Sequence, residues 1–175
     1  VREDQQQELG LYGTILVEPA DSSEQDLQKE VLVLDDILIK NNALPVFDSK
    51  TTNFAVMGRF GNQYLVNGKT DFSIKTLAGK RLQLYLLNAA NARPFRFSIP
   101  NTQLKWIGGD VGPLKKPVIV DSVTLGPSER AIVEVFFEQS GEFEMQNKTP
   151  LGTNSLGKIL VLPNEINLQE KEALR

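Results

Sequence analysis

The stretch Arg81-Leu82-Gln83-Leu84-Tyr85-Leu86-Leu87-Asn88 decides the fold class. Leu82, Leu84 and Leu86 fall on one side of an extended chain, and Arg81, Gln83, Tyr85 and Leu87 on the other. A period of two with one wholly apolar side belongs to a strand that turns one face to a core. Ala131-Ile132-Val133-Glu134-Val135-Phe136-Phe137 reads similarly, with Val133 and Val135 opposed to Ile132, Glu134 and Phe136. Apolar residues on both of its sides imply partial cover outside, as at a contact with a neighbouring domain.

Outward from these two, further runs of strand length recur at Leu11 to Glu18, Val31 to Ile39, Tyr64 to Val66, Phe72 to Lys75, Phe95 to Ile99, Leu104 to Ile107 and Gly157 to Leu162. Weaker runs lie at Val118 to Leu125 and Glu142 to Gln146. Gly, Pro, Asn and Asp separate them, which predicts an all-β sandwich. Asn67-Gly68 is the strongest turn signal, because both residues accept the positive φ of a type I′ turn, and it predicts a hairpin between Tyr64 to Val66 and Phe72 to Lys75. Gly126-Pro127-Ser128-Glu129-Arg130 predicts a turn ahead of the strand at Ala131. Ala20 to Glu30 is polar and acidic, with Leu27 its one large apolar side chain, and reads as a linker or surface loop. Asn164 to Arg175 reads as a short helix or frayed tail.

The 175 residues fit one compact domain with a ragged edge. A net charge of −3 argues against a nucleic-acid partner, since phosphate binding relies on clustered Lys and Arg. Lys115-Lys116 is the one basic pair that looks exposed, and it reads as a solvated turn. No run approaches the roughly 18 apolar residues of a membrane span. The start Val1-Arg2-Glu3-Asp4 is not a signal peptide, and it reads as the start of a fragment of a longer protein.

The chain contains no His and no Cys. Triad chemistry therefore lacks its base, disulfides and redox thiols are ruled out, and an electron-transfer copper site lacks its imidazole and thiolate ligands. Asp35-Asp36 places two carboxylates on opposite faces of a strand, where they cannot share a substrate, and reads as a strand-edge or loop pair in water. Gly108-Gly109-Asp110-Val111-Gly112-Pro113 follows no Walker or dinucleotide pattern and reads as a tight loop with Asp110 as turn former. No carboxylate cluster has calcium-loop spacing. The residues thus nominate no catalytic, cofactor-binding or metal-binding side chain.

Leu65-Val66-Asn67-Gly68-Lys69, Arg81 to Asn91, Trp106-Ile107-Gly108-Gly109-Asp110-Val111-Gly112-Pro113 and Pro127-Ser128-Glu129-Arg130-Ala131, in this order, resemble the second cupredoxin domain of three-domain multicopper oxidases. Gly10-Leu11-Tyr12-Gly13-Thr14-Ile15-Leu16-Val17-Glu18-Pro19 resembles the closing strand of the family's first domain. The resemblance divides the chain into that strand (1–19), a linker (20–30), a cupredoxin-like Greek-key sandwich (31–163) and a linker or tail (164–175). In copper-bearing domains of the family the last hairpin runs Gly-x-aromatic-x-aromatic-His-Cys-His and later Gly-x-Ile-x-Val. Here Gly141-Glu142-Phe143-Glu144-Met145 leads into Gln146-Asn147-Lys148, and Gly157-Lys158-Ile159-Leu160-Val161 follows. The frame stands without the ligands.

The resemblance implies a copper-free middle domain that spaces copper-bearing neighbours, in a parent that couples one-electron oxidation to reduction of oxygen to water. It also implies copper in the parent, flanking cupredoxin domains as partners and an extracytoplasmic location. The alternative is a copper-less relative acting as periplasmic scaffold or interaction protein. An apolar strand at Leu11 to Glu18 is further expected to pair between copies, giving a homo-oligomer, or to dock on an exposed edge of the domain.

Overall fold

The computed structural model describes residues 3–18, 27–45, 58–165 and 172. A short helix α1 (Glu3–Glu8) precedes strands β1 (Gln28–Ile37), β2 (Gln63–Val66), β3 (Ser73–Leu77), β4 (Arg81–Asn88), β5 (Phe95–Ser98), β6 (Leu104–Gly109), β7 (Gly112–Val120), β8 (Val123–Leu125), β9 (Arg130–Phe136), β10 (Gly141–Thr149) and β11 (Gly152–Leu162). They form a six-stranded sheet in the order β2-β1-β4-β9-β6-β7 and a five-stranded sheet in the order β3-β11-β10-β5-β8. The fold is an all-β, cupredoxin-like sandwich.

The core lies between the two inner faces. Leu82, Leu84 and Leu86 of β4 are at most 1% exposed, and Val133 and Val135 of β9 are fully buried beside them. β4 runs parallel to β1 from Gln28↔Leu82 to Leu34↔Asn88 and antiparallel to β9 from Arg81↔Phe136 to Leu87↔Arg130, so Leu32 and Leu34 of β1 complete the apolar layer. The opposing sheet contributes Ile74, Phe95, Phe97, Val123, Leu125, Met145, Ile159 and Val161 to the same cluster. At about 25 cal/mol per Å² of apolar surface removed from water, this shared layer is the dominant favourable contribution to folding.

The structure corrects several expectations. Asn67 and Gly68 do take positive φ (50° and 74°), and Val66 pairs with Lys69, as the turn requires. The turn does not join β2 to β3, because β2 pairs with β1 and β3 runs parallel to β11 in the other sheet. Its Asn67 side chain instead continues β2, accepting from Val33 N at 2.8 Å and donating to Val31 O at 2.9 Å. The weak run at Val118 to Leu125 is two strands, β7 and β8, one in each sheet. Lys115-Lys116 lies in edge strand β7, exposed, rather than in a turn. Gln28, Lys29 and Glu30, at the end of the segment read as a linker, belong to β1.

Leu11 to Glu18 forms no strand; it follows α1 as an extended segment without ladder partners. Leu11, Ile15 and Val17 point outward at 71, 94 and 85% exposure, while Tyr12 is half-buried against the sandwich. It rests on the outer face of the six-stranded sheet and not on an edge, closing a groove between Leu16 and Val31, Tyr85, Leu87 and Ile132. Of the C-terminal segment, 166–171 and 173–175 lie outside the described residues; Asn164 anchors its start by donating to Ala78 O at 3.0 Å.

Leu84 is the fully buried centre of the central strand. Leu84→Ala is expected to lower the unfolding free energy by about 2–5 kcal/mol in a urea melt. Leu84→Asp, which buries a carboxylate without a partner, is expected to leave no cooperative transition.

Candidate functional site

Two places qualify by geometry: the end of β10, where the family frame would carry a metal, and a buried polar cluster at one end of β1.

Gly141 to Lys148 lies along β10, which pairs with β11 from Gly141↔Val161 to Thr149↔Gly152 and with β5 at Gln146↔Ser98 and Asn147↔Phe97. A register shift between Met145 and Gln146 re-aims the strand at this point. Met145 and Asn147 are fully buried on the core side, and Lys148 is exposed. The Asn147 carboxamide oxygen accepts the Arg96 N–H at 2.9 Å, tying β10 to β5, while its buried Nδ2 has no hydrogen-bond partner. Gln146 turns away and donates to Glu144 Oε2 at 2.6 Å. The donor set does not fit copper, because an amide whose oxygen is engaged and whose N–H₂ is free offers a donor where a metal needs an acceptor. Among the described residues no group of three or more Asp or Glu could hold a metal ion.

The second place was not legible as a site. Asp35 and Asp36 are not in water; they are 4% and 2% exposed. They do point apart, and each finds different partners. Asp36 Oδ2 accepts Arg93 Nε at 2.6 Å and the Gly61 N–H, and Arg93 Nη2 donates to Gly61 O at 2.8 Å. Arg93 lies over Tyr64 and Phe60, its guanidinium carbon 4.9 and 5.2 Å from the ring centroids, and Tyr64 meets Phe95 edge-on at 6.2 Å. Gly61 is required there, since a Cβ would fall 2.4 Å from Ile37 N. The Arg93 guanidinium thus joins β1, the chain entering β2 and the chain entering β5.

On the other face, Asp35 Oδ2 accepts the Tyr12 hydroxyl at 2.5 Å, and Asp35 Oδ1 accepts Asp36 N at 2.8 Å. Burial raises the Asp35 carboxyl to about 6; the two hydrogen bonds oppose this, and the nearby charges of Asp36 and Glu8 add to it. Burial, and then donation to Asp35, pushes the Tyr12 hydroxyl above its ordinary value. Glu8, 5% exposed at the end of α1, accepts Leu38 N at 3.3 Å and Asn91 Nδ2 at 2.9 Å and pairs with Arg59 Nε at 3.4 Å. Gln7 donates to Ala89 O at 2.5 Å. Pattern reading had no signal for Glu8, Arg59 or Arg93. The available clue was the run Asn88 to Arg93, whose small residues let α1 approach.

Asp110 is no local turn former: it accepts Arg130 N at 3.0 Å and pairs with Arg130 Nε at 2.8 Å, linking the β6–β7 turn to β9. The outer face of β4 and β9 carries a further network, in which Tyr85 donates to Gln83 Oε1 at 2.6 Å and Gln83 donates to buried Glu134 at 3.2 Å. Ile132 is half-buried and Phe136 8% exposed, which is the outer cover expected for β9.

The sequence profile of the family described as Multicopper oxidase matches residues 21–167. Cell division protein FtsP of Photorhabdus laumondii is 33% identical over 143 residues, 78% of this chain and 29% of that protein. Multicopper oxidase mco of Staphylococcus aureus is 30% identical over 142 residues, 75% of this chain and 31% of that protein. The chain therefore spans about a third of the length of these relatives. Among solved structures, a bacterial laccase-like multi-copper oxidase CueO from Ochrobactrum sp. superposes with a TM-score of 0.69 at 24% identity, covering 81% of this chain and 33% of that one.

Arg93 is the sole cation paired with Asp36 among the described residues. Arg93→Met is expected to cost about 3–5 kcal/mol in a denaturant melt, because it strands a buried carboxylate. Adding Asp36→Asn is expected to recover part of that loss, giving a coupling well outside additivity.

Proposed function

We propose a structural role for this chain, which belongs to the multicopper oxidase family: it is the copper-free middle domain of a longer protein and holds flanking cupredoxin domains at working distance. One observation carries the reading. The position that the family frame gives to a thiolate is here Asn147, fully buried and hydrogen-bonded to the Arg96 backbone, so the hairpin end is a cross-link between strands. Electron transfer and oxygen reduction in the longer protein would use imidazole and thiolate ligands from other segments, since this chain has neither. Its contribution is a rigid sandwich that fixes its neighbours, which is preorganisation and not chemistry. On this reading residues 1–19 close the preceding domain, 31–163 form the spacer and the protein works outside the cytoplasm.

The FtsP relative at 33% identity favours a second reading. In it the longer protein carries no copper anywhere and acts as a scaffold or interaction protein. The copper content and aerobic phenol oxidation of the longer protein separate the two: bound copper with turnover supports the oxidase, and a metal-free, inactive protein supports the scaffold.

Equilibrium dialysis of the isolated chain against cupric ion tests what both readings share. No stoichiometric binding is expected, and tight one-to-one binding beyond that of the terminal amine and surface carboxylates would sink them.

A further inference from the structure

Residues 7–18 run back along β1 and are held near both of its ends. Glu8 accepts Leu38 N at 3.3 Å just past the end of β1, Tyr12 donates to Asp35 at 2.5 Å within it, and Glu18 pairs with Lys29 near its start. At about 3.3 Å of rise per residue, Lys29 and Leu38 lie roughly 30 Å apart. Glu8 is also bonded to Asn91 and Arg59, and Gln7 to Ala89, on the chain after β4 and the chain before β2. A segment held at one point swivels about it; one held over this span has a fixed direction. The Glu8 carboxylate, 5% exposed, is costly to bury without its partners, so that pairing also fixes where α1 sits.

The other side of the segment is unfinished. Leu11, Ile15 and Val17 point outward, and residues 12–18 make no backbone hydrogen bond to a described residue. An extended backbone with free N–H and C=O groups and an apolar row beside them is complementary to a sheet edge with an apolar layer behind it. A second copy of this chain offers poor edges: β2, β3 and β8 are 4, 5 and 3 residues long, and β7 carries Pro113 and Pro117, which lack N–H donors. The longer protein offers more. The family profile begins at residue 21, past the segment, and the matched part of this chain spans 29% of the FtsP relative and 31% of mco. We propose that residues 7–18 are an interdomain tie. Their outer side completes a sheet edge of the domain that precedes the spacer, and Gln7, Glu8, Tyr12 and Glu18 set the angle between the two. This rests on reading residues 1–19 as the close of that domain, and it adds the side chains that carry the geometry.

The test uses the longer protein and this chain side by side. Amides of 12–18 are expected to exchange at nearly the intrinsic rate in this chain and roughly a hundredfold more slowly in the longer protein, where they enter a sheet. In the longer protein, Glu8→Gln with Tyr12→Phe is expected to keep that protection but free the angle. Small-angle X-ray scattering then shows a larger radius of gyration that no single arrangement of domains fits. Amide exchange in β4 checks that the variant is folded. Where the double variant unfolds, Tyr12→Phe alone, which keeps the ring and removes the hydroxyl, is expected to move the scattering in the same direction. Protection of 12–18 with unchanged scattering in the variant overturns the tie and leaves the spacer reading intact. Fast exchange of 12–18 in both proteins overturns both. Protection that appears in this chain alone and rises with its concentration makes a second copy the occupant and likewise overturns the tie.

Discussion

Strand β4 is hydrogen-bonded on both sides along its length, to β1 in parallel and to β9 antiparallel, and the remaining topology follows from that mixed pairing. Parallel neighbours cannot be joined by a tight turn, so the chain leaving β1 must travel away and return before β4 begins. It uses that excursion to lay β2 on the far edge of the same sheet and β3 on the edge of the other one. β3 then pairs in parallel with β11, the last strand, from Lys158↔Ser73 to Leu162↔Leu77. The five-stranded sheet is thereby closed at one edge by strands distant in sequence, and the six-stranded sheet is joined internally by the distant pair β1 and β4. The leucine layer of β4 is buried between its neighbours in the sheet and the inner face of the opposing sheet.

The same constraint explains what the sequence revealed and what it hid. β4 and β9 were legible because each has at least one wholly apolar face, and period two reports a face whatever the partner is. The pairing of β2 with β3 was misread because Asn67-Gly68 describes a local turn correctly and says nothing of where the next strand goes. At Val118 to Leu125 the chain changes sheet at Asp121-Ser122, and the two short runs on either side, Val118 to Val120 and Val123 to Leu125, have similar strand propensity and so conceal that they serve opposite layers. Leu11 to Glu18 has strand composition, but a strand needs a ladder partner, and among the described residues it has none.

Asp35 and Asp36 show where periodicity runs out. Alternation placed them correctly on opposite faces, yet it reads which way a side chain points and not what lies over it. The cover is non-local: α1 and Tyr12 arrive from the N-terminal side, Arg93 from beyond β4. Two adjacent carboxylates that directly follow the apolar run Val31 to Leu34 are costly to bury unless each is paired. The pair thus carried a hint that partners had to exist, without identifying them.

At the hairpin end the balance is different. Asn147 engages its oxygen and leaves a buried N–H₂ without an acceptor, and Ser98 in the adjacent strand leaves its hydroxyl unpartnered as well. An unmet buried donor costs about 1–3 kcal/mol, whereas its engaged oxygen returns about 0.5–1.5. A purely apolar side chain at 147 would avoid the first term and lose the second, along with the tie from β10 to β5. The amide therefore adds little net stability. What it provides is register: it fixes Arg96 against the strand at the place where β10 shifts its pairing after Met145, which a featureless apolar contact would leave free to slip.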